Sequence, residues 1–379
     1  MHYFSQLHRQ ASAVAAFIAV CIMLGVSACR DTRNPSSSSG FDRTTMLQEV
    51  STNLIIPSYR ETQMAVSRLQ TSIQAFTQSP SVSTLQTAQS AWLEAYRAFL
   101  RSSPYDFGPA ESAFGTLREN IGVFPANPQL TEQYINEARF DLNNFNRSTR
   151  GFHGMEYLLF AASAQETVTR FSAEAGANRR QYLTAITNDL KTRIDAVANA
   201  WLSGGYQTQF TNNNGTSIGS STSMLFNEFV KSFEEAKNFK VALPLGRRPG
   251  QTTALPQHVE GLYSAQSLDF LKIHLATIEN IWHGRTAASG GKDFTGFEEY
   301  LATVAGGQEL IANTKAQLAA VNAALNAVPT SKPLADLIRE NHPSLTTLNT
   351  ELQKQTRFFK SDMSSLLGIT ITYSSGDGD

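Results

Sequence analysis

The chain has 379 residues, of which 41% are hydrophobic and 17% charged, and its formal net charge at pH 7 is -1. This composition is typical of a folded protein with a buried core and excludes an intrinsically disordered chain. The sequence contains neither a basic block of the kind that binds nucleic acid nor an acidic tail, so no nucleic-acid partner is expected. Its length is enough for two domains of ordinary size.

The N-terminal residues 1–28 have the pattern of a targeting signal. His2, His8 and Arg9 form a weakly basic start, and residues 11–26 are almost all apolar or small. Such a run is shorter and richer in small residues than a typical transmembrane helix. We therefore interpret residues 1–28 as a signal peptide and leave them out of the fold prediction.

The end of this signal, Val26-Ser27-Ala28-Cys29 with Leu24 before it, resembles the lipobox of bacterial lipoproteins. In such proteins the signal is cut before the cysteine, which then carries lipid. The alternatives are an ordinary signal peptide with an incidental cysteine, or a buried apolar helix. The favoured interpretation is a lipid anchor at Cys29 that holds the protein to the bacterial cell envelope, at the outer membrane or on the periplasmic side. Residues 29–43, rich in serine, would form a flexible tether.

The chain has two cysteines, Cys21 and Cys29. The first lies in the signal and the second would carry lipid, so the mature chain would retain no thiol for a disulfide or a thiolate metal site. Stability is therefore expected to come from core packing.

Helical periodicity dominates the first half of the chain. Apolar residues three and four apart predict a long helix from Met46 to Phe76, which Pro57 should end or kink. A second helix is predicted from Ser81, its expected N-cap, to Leu100. Further helices are predicted in the segments 111–121, 131–145, 153–162 and 178–201.

A polar segment at residues 204–220 interrupts this pattern. It reads GGYQTQFTNNNGTSIGS, without apolar periodicity and with many Gly, Asn, Ser and Thr residues. A loop of this length is unusual inside one compact bundle. It predicts an N-terminal helical bundle at 44–205, a linker loop at 206–220 and a C-terminal bundle at 221–372.

Helical periodicity also dominates the second half of the chain. An irregular segment is expected at 241–256, a weak point at Gly306-Gly307 and a break at Pro343. The predicted helices are 223–239, 264–284, 294–327 and 334–367. No stretch shows the sustained alternation of a strand, and no exact short repeat indicates a solenoid. The sequence therefore predicts an all-α fold with two four-helix-bundle-like domains.

The segment GFHGMEYLLF, residues 151–160, contains a potential metal-binding pair. His153 and Glu156 are three residues apart and lie on one face of a helix, and imidazole and carboxylate are reasonable ligands for zinc, iron or copper. Two ligands are not a site, and the spacing alone favours a hydrogen-bonded core pair. The His-Glu-x-x-His pattern of zinc proteases is absent, as is the full Glu-x-x-His set of di-metal bundles.

Two glycines flank this histidine. Gly151 and Gly154 weaken a helix, but they allow another backbone or a ligand to come close. The apolar residues 157–160 indicate that the His-Glu pair is partly buried, which costs free energy unless the pair is hydrogen-bonded or ligated.

These residues resemble a known family. Gly151-x-His153-x-x-Glu156 is similar to the Gly-x-His-x-x-Glu signature of the imelysin-like proteins, which are bacterial lipoproteins and periplasmic proteins often linked to iron. Further blocks resemble the family in order over most of residues 44–367: Ile56-Pro57-x-Tyr59, Ala91-Trp92-x-x-Ala95-Tyr96-Arg97, Phe107-Gly108-Pro109, Pro244-Leu245-Gly246 and Val259-Glu260-x-x-Tyr263-Ser264-x-x-Ser267-Leu268.

The resemblance implies two related four-helix bundles, an internal duplication, with the signature near the groove between them. It implies His153 and Glu156 as metal ligands. It also implies a set of further residues that bind the ligand in the groove: Gly151, Trp92, Arg97, Glu260 and Ser264.

Several of these residues also have an interpretation that involves no ligand binding. Trp92 is typical of a core position, and Arg97 could be a surface residue or could pair with Glu156 or an anionic ligand. Glu260 could instead cap the helix that follows it. The remaining histidines have no metal spacing and are expected to be structural or exposed: His258, His274, His283 and His342.

The leading hypothesis is an envelope lipoprotein that binds a metal ion, of iron, zinc or copper, or a metal-bearing ligand in the groove and serves iron uptake or handling. Its partners would be the membrane, through Cys29, and components of an iron-uptake system. The family also has a peptidase label, so a metal-dependent peptidase using His153 and Glu156 is the enzymatic alternative. No complete catalytic motif is visible in the sequence. A third alternative is a peptide or glycan binding module without metal.

Overall fold

The structure is a computed structural model that describes residues 40–142, 146–172, 174–287 and 291–374. The predicted signal peptide at 1–28, the predicted lipidation site Cys29 and most of the predicted tether lie outside the described residues. Within them, Asp42 caps the first helix by accepting a hydrogen bond from the backbone N–H of Thr45.

The described residues form helices throughout and contain no β-strand, apart from a single bridge between Arg285 and Asp293. This confirms the all-α prediction. The helices of the first half are α1 (Arg43–Val50), α2 (Ile56–Gln78), α3 (Val82–Ser102), α4 (Leu117–Ile121), α5 (Pro128–Asn136), α6 (Gly151–Phe160), α7 (Ala164–Ser172), α8 (Ala177–Leu202) and α9 (Tyr206–Asn212). Those of the second half are α10 (Ser221–Glu235), α11 (Leu243–Leu245), α12 (Ser267–His283), α13 (Phe297–Ala302), α14 (Gly307–Asn326), α15 (Leu334–Arg339), α16 (Pro343–Arg357) and α17 (Met363–Leu367). Segments of π-helix follow α1, α10 and α16: Ser51–Ile55, Ala236–Ala242 and Phe358–Asp362.

The helices break where proline and glycine predict. Pro57 lies in the first turn of α2, just after the π-helical segment Ser51–Ile55, and Pro343 begins α16. At Pro343, which begins a helix, the missing N–H of proline breaks no helical hydrogen bond. At Pro57 the helix continues, and the chain changes from π-helix to α-helix just before the proline. Gly306 adopts a left-handed conformation with φ +79° between α13 and α14, so the predicted weak point separates two helices.

The start of α3 is fixed by a capping box. The Ser81 hydroxyl accepts a hydrogen bond from the backbone N–H of Thr84 at 3.2 Å, and the Thr84 hydroxyl accepts one from the N–H of Ser81 at 3.0 Å. These bonds satisfy two of the donors that every helix start leaves unpaired. They confirm Ser81 as the N-cap and set the register of the helix that carries Trp92 and Tyr96.

The predicted linker loop contains a helix. Tyr206–Asn212 forms α9 because two aromatic residues one turn apart are anchored in the core. Phe210 stacks on Phe107 at 5.6 Å between ring centres, and Tyr206 meets the edge of Trp201 at 4.8 Å. The prediction of a structureless segment is therefore wrong for these residues, since burial of the aromatic rings outweighs the polar composition. The division into bundles at 44–205 and 221–372, and their internal duplication, stay predictions.

Helix packing positions the middle of α3 between the two halves of the chain. In the first half, α2 packs against α3 and α8; in the second, α14 packs against α16. Helix α3 also packs against α12, and the 3-10 turn Ser103–Tyr105 that follows α3 packs against α10. Across the part of the chain that the structure describes, no helix has both the length and the apolar character required to cross a bilayer.

We expect the Ser81→Ala substitution to lower the free energy of unfolding by about 1 kcal/mol, because it removes the N-cap of α3. Urea denaturation of the purified protein, followed by circular dichroism, measures this change. Ser83→Ala, at an exposed position of the same helix, is the matched control and should leave the midpoint nearly unchanged. Equal effects of the two substitutions would contradict the capping role.

Candidate functional site

The signature segment starts at a glycine that no other residue could replace without strain. Gly151 has φ +63°, and a Cβ added there would lie 2.4 Å from the carbonyl oxygen of Ile121. A Cβ on Gly154 would lie 2.6 Å from the carbonyl oxygen of Thr149. The glycines therefore serve the close approach of backbone to backbone, which brings the first turn of α6 against the end of α4.

This approach buries the His-Glu pair, which is hydrogen-bonded as the three-residue spacing allows. His153 is 1% exposed and Glu156 is 2% exposed, and 3.0 Å separates His153 Nδ1 from Glu156 Oε2. The other oxygen of Glu156, Oε1, accepts a hydrogen bond from the backbone N–H of Ser264 at 2.8 Å. The carboxylate thus ties α6 to the loop that precedes α12.

Tyr96 of α3 extends the pair into a longer network. Its hydroxyl lies 2.9 Å from His153 Nε2 and donates a hydrogen bond of 2.5 Å to Glu260 Oε1. The same Glu260 oxygen lies 2.8 Å from Lys240 Nζ. We call these five residues, Glu156, His153, Tyr96, Glu260 and Lys240, the signature network. All five are buried.

Burial sets the electrostatics of this network. Desolvation, with the nearby charge of Glu260, raises the pKa of Tyr96 well above its ordinary value, so the phenol stays protonated. Burial also lowers the pKa of Lys240, against the opposing effect of the Glu260 carboxylate. An unpaired charge at such depth would be costly, and the Lys240–Glu260 ion pair offsets this cost.

The hydrogen bonds of the signature network require one more hydrogen than a neutral His153 and a neutral Tyr96 carry. Three links, from Glu156 to His153, His153 to Tyr96 and Tyr96 to Glu260, each require a hydrogen. A neutral imidazole and a phenol carry one each. The third hydrogen must sit on the second nitrogen of His153 or on a carboxyl group. Wherever this hydrogen sits, both nitrogens of His153 take part in hydrogen bonds.

This engagement bears on the predicted metal site. A metal ion requires a free imidazole lone pair and deprotonated ligands. Both nitrogens of His153 and both oxygens of Glu156 have protein partners. In the described ranges, no three His, Cys, Asp or Glu side chains are grouped to hold a metal ion. As arranged, these two residues do not fit an ion that they would ligate directly.

Aromatic rings hold Tyr96 in place. Trp92 stacks on it at 5.2 Å between ring centres, and Phe270 of α12 meets its face edge-on at 4.7 Å. The Trp92 indole N–H donates a hydrogen bond of 2.9 Å to the carbonyl oxygen of Phe152. Trp92 is therefore a fully buried support that joins α3 to α6.

A cavity of about 190 Å³ lies against Tyr96, Lys240 and Glu260. Arg118 and Glu235 also belong to its wall. Its remaining lining is mostly apolar and includes Phe99, Leu100, Phe124, Phe239 and Leu243. Three residues of the network, Tyr96, Lys240 and Glu260, thus line a small cavity whose wall is mostly apolar.

Carboxylates surround the Arg118 guanidinium. Arg118 lies 3.0 Å from Glu228, 2.9 Å from Glu235 and 3.6 Å from Asp106. Burial alone would lower the pKa of Arg118, but the three acids raise it, whereas burial raises the pKa of Glu235. The charge of Arg118 is therefore already balanced by these three carboxylates.

His274 of α12 also belongs to the cavity wall. Burial, with the charges of Lys240 and Arg118, lowers its pKa well below the ordinary value, so the imidazole is neutral. Its Nε2 lies 2.6 Å from the Ser232 hydroxyl, and its buried Nδ1 has no hydrogen-bond partner.

Comparison with known proteins places this arrangement in a family. The family model described as imelysin, in peptidase class M75, matches residues 55–357. The chain belongs to the imelysin family.

Individual relatives agree with this assignment. The chain is 24% identical over 242 residues to "Iron-regulated protein A" of Synechococcus elongatus, and the match covers 61% of this chain and 62% of that protein. An imelysin-like protein from Psychrobacter arcticum 273-4 has the same fold, with a TM-score of 0.68, 20% identity and coverage of 89% and 98% of the two chains. A structure from Parabacteroides distasonis ATCC 8503, described as a candidate iron-regulated protein A precursor, superposes with a TM-score of 0.70, 17% identity and coverage of 86% and 95%.

The structure brings together only part of the predicted imelysin site. Glu260 joins the signature through Tyr96 and does not cap α12, and Ser264 joins it through its backbone N–H. Arg97 does not pair with Glu156; its guanidinium lies 2.8 Å from Asp269 and 3.3 Å from Gln266, and its side chain is 35% exposed. At Gly151 the close neighbour is the backbone of Ile121.

Three residues of the site were not singled out from the sequence: Tyr96, Lys240 and His274. Tyr96 was named only as part of a block that resembles the family, since tyrosine is more often a core residue than a ligand contact. His274 was expected to be structural or exposed. A signal does exist, since Lys240 stands within the apolar run FKVALPL and His274 within FLKIHLATI. The signal is weak, because Lys272 stands in the same run as His274 and is only half-buried.

We expect Tyr96→Phe to lower the free energy of unfolding by about 2–3 kcal/mol, because it leaves the buried His153 and Glu260 each short of a partner. Tyr59→Phe is the matched control: its buried hydroxyl donates to the carbonyl oxygen of Tyr105 at 2.9 Å, and its loss should cost about 1 kcal/mol. Urea denaturation of both variants measures the difference. An equal loss in both would show that Tyr96 is only a core residue.

We also expect Gly151→Ala to destabilise the protein more than Gly205→Ala. Both glycines have positive φ, which costs an alanine about 1–2 kcal/mol. A Cβ at Gly205 meets nothing within 4 Å, whereas one at Gly151 collides with Ile121. Thermal unfolding of both variants tests this, and similar melting temperatures would contradict the close approach of α6 to α4.

Proposed function

We propose that this imelysin-family protein acts in iron uptake or handling at the bacterial cell envelope, anchored by lipid at Cys29, and that it binds a metal-bearing ligand in the cavity beside the signature network. The observation that carries the proposal is the cavity itself. A chamber of about 190 Å³ with a buried ion pair in its wall has the form of a small-molecule site, which is concave, largely apolar and fitted with a few placed polar groups.

The connection to iron comes from the relatives. The Synechococcus elongatus protein is named for its regulation by iron, and the family signature stands in this chain at Gly151, His153 and Glu156. The matched part is 62% of that relative's length, so a shared role in iron handling is part of the proposal.

The geometry favours a metal-bearing ligand over a bare ion held by His153 and Glu156. Coordination by His153 would require the loss of its hydrogen bond to Tyr96 or to Glu156, and coordination by Glu156 would release the backbone of Ser264. Each loss would leave a buried polar group unpaired, at a cost of about 1–3 kcal/mol. A ligand in the cavity leaves the network intact. In this proposal His153 and Glu156 position Tyr96 and Glu260, which form the cavity wall.

The same engagement weighs against the peptidase alternative. A general base must have a free acceptor atom within hydrogen-bond distance of the water that it activates. The nitrogens of His153 and the oxygens of Glu156 already have partners in the protein.

A cavity-filling variant tests the proposal. Val123 lines the cavity and is half-buried, so Val123→Trp should fill the chamber with limited disturbance of the core. We expect the wild-type protein to bind at least one of a panel of ferric citrate, ferric catecholate and ferric hydroxamate complexes in isothermal titration calorimetry. The substitution should weaken this binding at least about tenfold, which corresponds to about 1.4 kcal/mol.

Val304→Trp is the matched control, since Val304 is also half-buried and is not among the cavity residues. It should bind as the wild type does. Titration with uncomplexed Fe³⁺, Zn²⁺ and Cu²⁺ of wild type and His153→Ala forms the second arm. Equal binding of ferric complexes by wild type and Val123→Trp would overturn the cavity as the site. Tight binding of a bare ion that His153→Ala abolishes would overturn the positioning role of the histidine.

A further inference from the structure

Two buried polar atoms of the cavity wall have no hydrogen-bond partner. They are Glu260 Oε2 and His274 Nδ1. Glu260 is 2% exposed and His274 is 1% exposed. Buried polar groups in folded proteins are almost always hydrogen-bonded, to protein, to water or to a ligand. Both residues line the same cavity, so a ligand bound there can supply a partner to each atom.

The chemistry of these atoms defines what the partner must carry. Glu260 Oε1 already accepts from Tyr96 and Lys240, so its Oε2 remains as an anionic acceptor that needs a hydrogen donor. The neutral His274 lies with Nε2 beside the buried Ser232 hydroxyl. If the hydroxyl donates to Nε2, its hydrogen is satisfied, and Nδ1 then carries the imidazole hydrogen. His274 thus offers a donor.

Lys240 adds a second donor on the same wall. Its ammonium carries three hydrogens, of which Glu260 Oε1 takes one. Lys240 and Arg118 also contribute the positive potential that depresses the pKa of His274. The hydrogens of Lys240 and His274 therefore suit an acceptor group of the ligand, and Glu260 Oε2 suits a hydrogen donor.

From this donor and acceptor pattern we propose that the cavity binds a small hydroxycarboxylate. The ligand carboxylate accepts hydrogen bonds from Lys240 Nζ and His274 Nδ1, and the ligand hydroxyl donates to Glu260 Oε2. The apolar walls, with Phe99 and Phe239 among them, cover the carbon skeleton. This inference rests on the proposed function and names the class of the ligand, which can carry a metal through its own oxygens.

The pattern of hydrogen donors and acceptors disfavours other classes of ligand. A ligand with an ammonium group in place of the carboxylate would leave the hydrogens of Lys240 and His274 without an acceptor. A carboxylate ligand without a hydroxyl would leave Glu260 Oε2 without a hydrogen donor. An unpaired buried carboxylate oxygen lowers the affinity for such a ligand.

The test compares L-malate with succinate, which differ by one hydroxyl. Calorimetric titration of the iron-free, full-length protein should show binding of malate at least about tenfold tighter than of succinate, as expected for one hydrogen bond to a charged acceptor. Glu260→Gln should reduce this ratio towards one. His274→Phe should weaken both acids and leave their ratio unchanged. His258→Phe, a half-buried histidine outside the cavity wall, is the control and should change neither.

Thermal unfolding without ligand shows whether each variant is folded. If a variant does not fold, the test relies on the affinities of the wild-type protein for malate and succinate. Equal affinity for malate and succinate, or binding of neither, would overturn the inference, and in that case water alone would satisfy the two atoms. If ferric complexes bind and Val123→Trp blocks them while malate shows no advantage, the ligand class is wrong and the proposed function stands. If malate binds as described and no ferric complex does, the ligand class stands and the role in iron handling fails.

Discussion

One hydroxyl group joins the two halves of this protein. The Tyr96 hydroxyl lies between His153 Nε2 and Glu260 Oε1, at 2.9 and 2.5 Å, and so connects residues 57 and 164 positions away along the chain. It is buried beneath Trp92 and Phe270, where water cannot replace a lost partner. The positions of α3, α6 and the loop before α12 are therefore coupled through one atom. Hydrogen bonds in such a low-dielectric setting are strong when complete and costly when broken.

The buried charges around this hydroxyl explain why polar residues occupy the centre of a helical core. Lys240 and Glu260 would each be costly alone, and pairing offsets much of that cost. The arrangement is nevertheless incomplete, because one oxygen of Glu260 and one nitrogen of His274 stay unpaired beside the cavity. Under the proposed function these two atoms meet the bound ligand, and the signature histidine positions Tyr96 and does not coordinate a metal directly.

Local patterns predicted much of the fold. Ser81 was expected to cap α3 and does so. Pro57 lies just after a π-helical segment, and Gly306 and Pro343 lie at the starts of α14 and α16. These features depend on neighbours within a few residues, so a single sequence contains the required information. The segment at 206–212 was expected to be a loop and forms α9. Its helix depends on the contacts of Phe210 with Phe107 and Trp201, and no local pattern reveals partners so distant in sequence.

The same distinction applies to the site. The pairing of His153 with Glu156 follows from their three-residue spacing on a helix, and the role of Gly151 in a close approach follows from its lack of a side chain. Both could be read from residues 151–160. Tyr96, Lys240 and His274 come from distant parts of the chain, and so do the partners of Arg97. Only the packing of α3 against α6 and α12 decided that His153 bonds to a tyrosine, that Arg97 faces Asp269 and that a cavity lies beside Glu260. Sequence spacing determines which side chains share one face of a helix, whereas contacts between helices depend on how the apolar faces pack together.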